Sequence, residues 1–131
     1  MIRKTGNSDP RIVEAIKRAI ELDSKCEPEL AAQHLSTLIA EFPTVASLRG
    51  YLALYLYRSG RYHQAIEHGR QAVLLAPKSE KASFVLFQSL WTAGQHIEAL
   101  DEMKRFLALK PSAEYSKMIK EWELSEGEGK S

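Results

Sequence analysis

A chain of 131 residues with 44% apolar and 27% charged side chains and a formal net charge of +1 has the apolar content of one packed domain. It lacks the overall field that holds a phosphate backbone or an anionic membrane, so nucleic acid and membranes are set aside as partners. A lone cysteine, Cys26, excludes an internal disulfide and a thiolate metal cluster, and it points to a reducing, cytoplasmic compartment.

Residues 1–9 form a polar N-terminal extension without the apolar core of a signal peptide. Asp9 and Pro10 then supply an N-cap and a first-turn proline, and Ile12, Ala15, Ile16, Ala19, Ile20 and Leu22 recur at helical spacing behind them. Glu27 with Pro28 is expected to start a second helix in the same way. After Pro43 the pattern resumes at Leu48, Leu52, Ala53 and Leu56, pauses at Gly60, and runs on through Tyr62, Ala65, Ile66, Gly69, Ala72 and Val73 to Pro77. A third round takes in Phe84, Phe87, Leu90 and Trp91, a turn at Gly94, then Ala99, Leu100, Met103, Phe106 and Leu107 before Pro111. A closing helix over 113–124 has an apolar set at Tyr115, Met118, Ile119 and Trp122, while 125–131, with Gly127 and Gly129 among charges, is expected to be disordered.

The rounds keep strict time. Pro43, Pro77 and Pro111 stand 34 residues apart, as do Leu22, Leu56 and Leu90, then Ala31, Ala65 and Ala99, and then Ile39, Val73 and Leu107. Each proline, lacking an N–H and fixed in φ, stops the helix before it. Strand alternation is absent, so the unit is helix, tight turn, helix.

These residues resemble the tetratricopeptide repeat, a 34-residue helical hairpin with set small and large positions. Repeats fall at about 12–45, 46–79 and 80–113 within a domain over 10–124, and the middle one matches best through Leu52, Ala53, Leu56, Gly60, Tyr62, Ala65, Ala72 and Pro77. The resemblance implies an all-α, right-handed superhelix (an α-solenoid) of three hairpins, with the last helix as its solvating cap and the concave wall of first helices as docking surface. Departures are Cys26 in place of the turn glycine, and Phe87 and Phe106 in place of small residues. The two phenylalanines imply a looser helix approach in the third hairpin. Relatives that clamp a terminal carboxylate do so from positions that correspond here to Ile16, Ile20, Tyr51, Lys81 and Val85, of which only Lys81 fits. A bound carboxylate would be desolvated with little compensation, which argues against that role.

Catalytic chemistry has no visible seat. His34 and His68 occupy equivalent positions on neighbouring second helices, about 10 Å apart by ordinary helix packing and too far to share a metal. No nucleophile elbow, phosphate loop or metal-ligand spacing occurs, so neither an enzyme nor a cofactor or metal is expected. The inward side is expected to show Val13, Ile16 and Ile20, then Ser47, Gly50 and Leu54 with Tyr57 and Arg58, then Lys81, Phe84, Gln88 and Trp91. Of these, Tyr57, Arg58, Lys81, Phe84, Gln88 and Trp91 are the expected partner-binding residues of a protein-interaction adaptor or scaffold. The alternative is a self-assembling homodimer whose groove is filled by its own terminal helix.

Overall fold

The structure, a computed structural model, describes residues 9–129, with side chains through Ser125. The extension expected over 1–8 lies outside the described residues, as do 130 and 131. Seven helices follow one another: α1 Pro10–Ser24, α2 Pro28–Ile39, α3 Ala46–Arg58, α4 Tyr62–Leu75, α5 Glu80–Thr92, α6 His96–Leu109 and α7 Ala113–Gly129. No strand occurs among the described residues.

Local chemistry sets most of the boundaries. The Asp9 carboxylate accepts the Arg11 amide at 2.8 Å, with Pro10 in the first turn of α1. Pro28 likewise opens α2, but Glu27 gives no side-chain cap, contrary to expectation; the Glu29 carboxylate in that first turn instead pairs with Arg61, the residue at the N-cap of α4. All three hairpin turns close with the same pair of features. The amides of Glu27, Arg61 and Gln95 reach back to the carbonyls of Leu22, Leu56 and Leu90 at 3.0, 2.9 and 2.8 Å, and the residue before each amide is left-handed, with φ of 63° at Cys26, 84° at Gly60 and 87° at Gly94. Cys26 therefore makes a glycine's turn with a side chain attached. α7 runs on to Gly129, past the end expected at 124, with no proline to stop it.

Packing follows the 34-residue columns. Ala53, Ala65 and Ala72 are fully buried, and a Cβ on Gly69 would lie 3.3 Å from the Leu86 Cβ, so α5 rests nearly on the backbone of α4. One period later the columns of Ala53, Gly69 and Ala72 hold Phe87, Met103 and Phe106, also buried. The third hairpin is correspondingly looser than the middle one: α5 and α6 approach less closely than α3 and α4, and about as closely as α1 and α2. The same large side chains form the seat of α7, which meets the array through side chains rather than close backbone approach. Tyr115, wholly buried, sets its ring against Phe84, Phe87 and Phe106 at 5.3, 5.6 and 6.0 Å and shares a 2.7 Å hydrogen bond with the buried Ser83 hydroxyl. At the other end, Arg11, Glu14 and Arg18 of α1 are exposed in the columns where Val45, Leu48 and Leu52 are buried, so that face of α1 meets water.

Polar ties join the layers. In the second hairpin the Arg49 guanidinium lies 3.0 Å from His68 Nδ1. Because a guanidinium can only donate, Nδ1 accepts and the imidazole is neutral with its proton on Nε2. Burial, seconded by the Arg49 charge and opposed by Glu67, holds the His68 pKa below its ordinary 6.5. Glu102, buried on α6, receives two bonds from Arg105 at 2.9 and 2.7 Å, while Arg105 also donates to the Pro77 carbonyl at 3.0 Å.

Three stability effects are expected. Cys26→Gly relieves the left-handed cost and should raise the unfolding free energy by up to about 1 kcal/mol, seen as a higher urea midpoint; an unchanged or lower midpoint would contradict the strain. Ala65→Leu should cost roughly 1 to 3 kcal/mol by overpacking, whereas Glu67→Ala on the exposed side should change little. Finally, His68 takes a proton less readily folded than unfolded, so its contribution is complete above pH 6.5 and is lost as pH falls through the folded value. Urea melts between pH 7.5 and about 5 should therefore decline more steeply for the parent than for His68→Gln, which keeps an acceptor for Arg49.

Candidate functional site

Curvature comes from unequal contact between the layers. The first helices α1, α3 and α5 touch across successive units, whereas no comparable contact joins α2 to α4 or α4 to α6. The first helices therefore form the inner wall. Val13 and Ile20 of α1 are 41% and 46% exposed on it, and Ile16, Leu54, Tyr57, Phe84, Gln88 and Trp91 are half-buried. Gly50 leaves a notch: an added Cβ there meets no atom within 4 Å. By column it lies between Ile16 of α1 and Phe84 of α5, and Leu54 follows it one turn along α3.

Between α3 and α5 the wall deepens into a cavity of about 260 Å³ lined by Leu54, Phe84, Val85 and Gln88, with Glu80, Lys81 and Glu114 around it. Two of the six residues expected from sequence, Phe84 and Gln88, lie squarely in it. Lys81 lines it too, but its ammonium donates to the Tyr51 hydroxyl at 2.8 Å and sits 4.2 Å over that ring. Tyr57 stands further along α3, its ring 5.7 Å from Tyr62 and its hydroxyl 3.4 Å from Thr92 Oγ1. Arg58 is turned to Asp23 at 2.8 Å, bridging α3 and α1.

Trp91 is the residue that the structure places differently. Its ring stacks on Trp122 of α7 at 5.2 Å and on Phe87 at 5.8 Å, with His96 at 4.2 Å on its border. It belongs to the seat of the terminal helix. α7 in turn adds Glu114 to the cavity wall and leaves the floor of Leu54, Phe84 and Val85 open. Tyr51, Glu80 and Glu114 were not among the expected binding residues. The signal for Tyr51 was available, since it shares the inner face with Leu54 and Lys81. Glu80 and Glu114 also share one column, 34 residues apart, but only the docking of α7 brings them to one cavity.

The outer face carries two shallow grooves in matching register. One, of about 390 Å³, includes Glu29, Gln33, Gln64, Glu67 and His68; the other, of about 360 Å³, includes Arg70, Glu98, Asp101, Glu102 and Arg105. Both set charged and polar side chains around leucines, Leu52 and Leu56 in the first and Leu86 and Leu90 in the second, and several of their charges are already paired: Arg61 with Glu29, Arg70 with Glu98, and Arg105 with Glu102. Among the described residues no set of three or more His, Cys, Asp or Glu side chains gathers as metal ligands. Cys26 is exposed at its turn. No helix among the described residues is long and apolar enough to cross a membrane.

No protein-family model matches the chain, and no curated protein does. Solved structures do. The chain is similar to the second TPR domain of human RPAP3 in complex with an HSP70 peptide, at 22% identity and a TM-score of 0.72, over 78% of this chain and 85% of that one. It is also similar to the second TPR of Spaghetti (RPAP3) bound to an HSP90 peptide, at 21% identity and a TM-score of 0.70, over 77% and 94%. A MamA point mutant aligns at 22% identity and a TM-score of 0.68, over 82% and 78%. The fold is thus that of tetratricopeptide-repeat domains, a helical solenoid of three hairpins and a terminal helix.

Proposed function

We propose that this chain is a non-catalytic, cytoplasmic adaptor that takes a peptide or helix of a partner protein into its concave groove. The observation that carries this reading is the gap in the inner wall. Gly50 leaves open space where the first-helix column otherwise places Ile16 and Phe84, and beside it lies an apolar cavity big enough for a large side chain. Two of the similar domains hold peptides, which favours the same use of the fold. The manner differs. With Ile16, Ile20, Tyr51 and Val85 at the corresponding positions and Lys81 already engaged by Tyr51, a terminal-carboxylate clamp is disfavoured on the ground of unpaid desolvation. Self-assembly through the terminal helix is the less favoured reading, because the aromatic stripe of α7 is already packed in its own chain.

The contact residues on this reading are Phe84 and Gln88 at the cavity, Tyr57 and Arg58 along α3, and Lys81 at the rim, with Trp91 acting chiefly through the packing of α7. Gly50→Met should remain fully helical by circular dichroism, because the new side chain enters open space and improves helix propensity. It should still weaken partner capture from the native host by at least about tenfold, as should Phe84→Ala, in keeping with the cost of losing a groove anchor. Trp91→Ala should instead lower the unfolding free energy in urea melts by about 2 to 3 kcal/mol through the lost stacking. A folded Gly50→Met protein that captures its partners as well as the parent would refute the groove.

A further inference from the structure

We infer that the partner segment carries a basic residue beside its apolar anchor, an inference that rests on the groove reading above and specifies the chemistry of its ligand. The cavity has an apolar floor of Leu54, Phe84 and Val85 and two carboxylates on its walls, Glu80 from α5 and Glu114 from α7. Neither carboxylate is in an ion pair with a described residue. Other carboxylates, Glu14, Glu67 and Asp101 among them, are likewise outside ion pairs; what distinguishes Glu80 and Glu114 is that both line one cavity with an apolar floor. Glu80 is held in place by the Ser112 hydroxyl, which donates to it from the turn leading into α7. The one cation at the cavity, Lys81, is drawn onto Tyr51, over its ring and to its hydroxyl.

A ligand whose apolar side chain enters the cavity thus brings its neighbouring residues up to two unpaired carboxylates. A lysine or arginine there completes two ion pairs, and a glutamate there meets two like charges. Because Glu114 is exposed and Glu80 only half-buried, the preference is moderate and screened by salt.

The test uses three fluorescein-labelled peptides that share one leucine–phenylalanine anchor and differ only in the flanking residues, which are lysine, glutamine or glutamate. Anisotropy titrations on the full chain should rank them lysine, glutamine, glutamate, with about fivefold or more between the extremes at low salt and little difference at about 0.5 M NaCl. The Glu80→Gln, Glu114→Gln double variant should bring the three affinities together. Glu114→Gln alone, which leaves the Ser112 contact intact, should remove part of the difference and guard against misfolding of the double variant. Equal or reversed affinities, with binding still abolished by Gly50→Met, would overturn the basic-ligand inference and leave the groove standing. Failure of all three peptides to bind, or binding indifferent to Gly50→Met, would overturn the groove and this inference with it.

Discussion

The contact between Gly69 and Leu86 governs the spacing of the array. A methyl group on Gly69 would press against both the side chain and the backbone of Leu86, so α4 and α5 lie as near as two helices can. Leu86 is buried almost completely in that contact, which by itself is worth roughly 1.5 to 3 kcal/mol. Where α5 lies against α4 also determines where it lies against α3. The width of the inner cavity, between Leu54 on one side and Phe84 on the other, follows from a missing side chain on the opposite layer.

The same columns one period on show what happens when the constraint is lifted. Phe87, Met103 and Phe106 stand where small residues stood, and the next helix is held off by their volume. Close backbone approach is replaced by a cluster of rings with Tyr115 at its centre, and burial pushes the Tyr115 phenol well above its ordinary pKa despite the Ser83 hydrogen bond. The Ser83–Tyr115 pair keeps that cluster from leaving an orphaned hydroxyl, and among the described residues no buried side-chain polar atom lacks a partner. An aromatic-rich end of this kind is readily mistaken for a binding face. Here most of its rings are occupied by one another.

Electrostatics adds direction to the packing rather than stability. The exposed arginine–carboxylate pairs between helices are each worth little in water, and they tie neighbouring helices in register. The cavity carboxylates are among those left outside such pairs. Glu102 is the exception that packing explains: it is buried, and it is tolerated because Arg105 meets both of its oxygens.

Helices, turns and their order were legible in the sequence because they depend on local chemistry. A 34-residue column of prolines and glycines records where a chain must stop and turn, and spacing of three and four records which side of each helix is apolar. Even the departure at Cys26 could be read, since a glycine column demands a left-handed residue whatever occupies it. The inner face was legible in outline, and Phe84 and Gln88 are on it. Trp91, Phe87 and Phe106 were not readable in the same way, because an apolar residue on a helix face looks the same whether a groove or another helix lies opposite. Nor could Glu80 and Glu114 be joined into one site from their spacing, since their meeting depends on where α7 docks. Only the tertiary structure decided these points. The distance between two helices is fixed by the volumes of side chains drawn from several repeats at once, and no single segment of the sequence carries that sum.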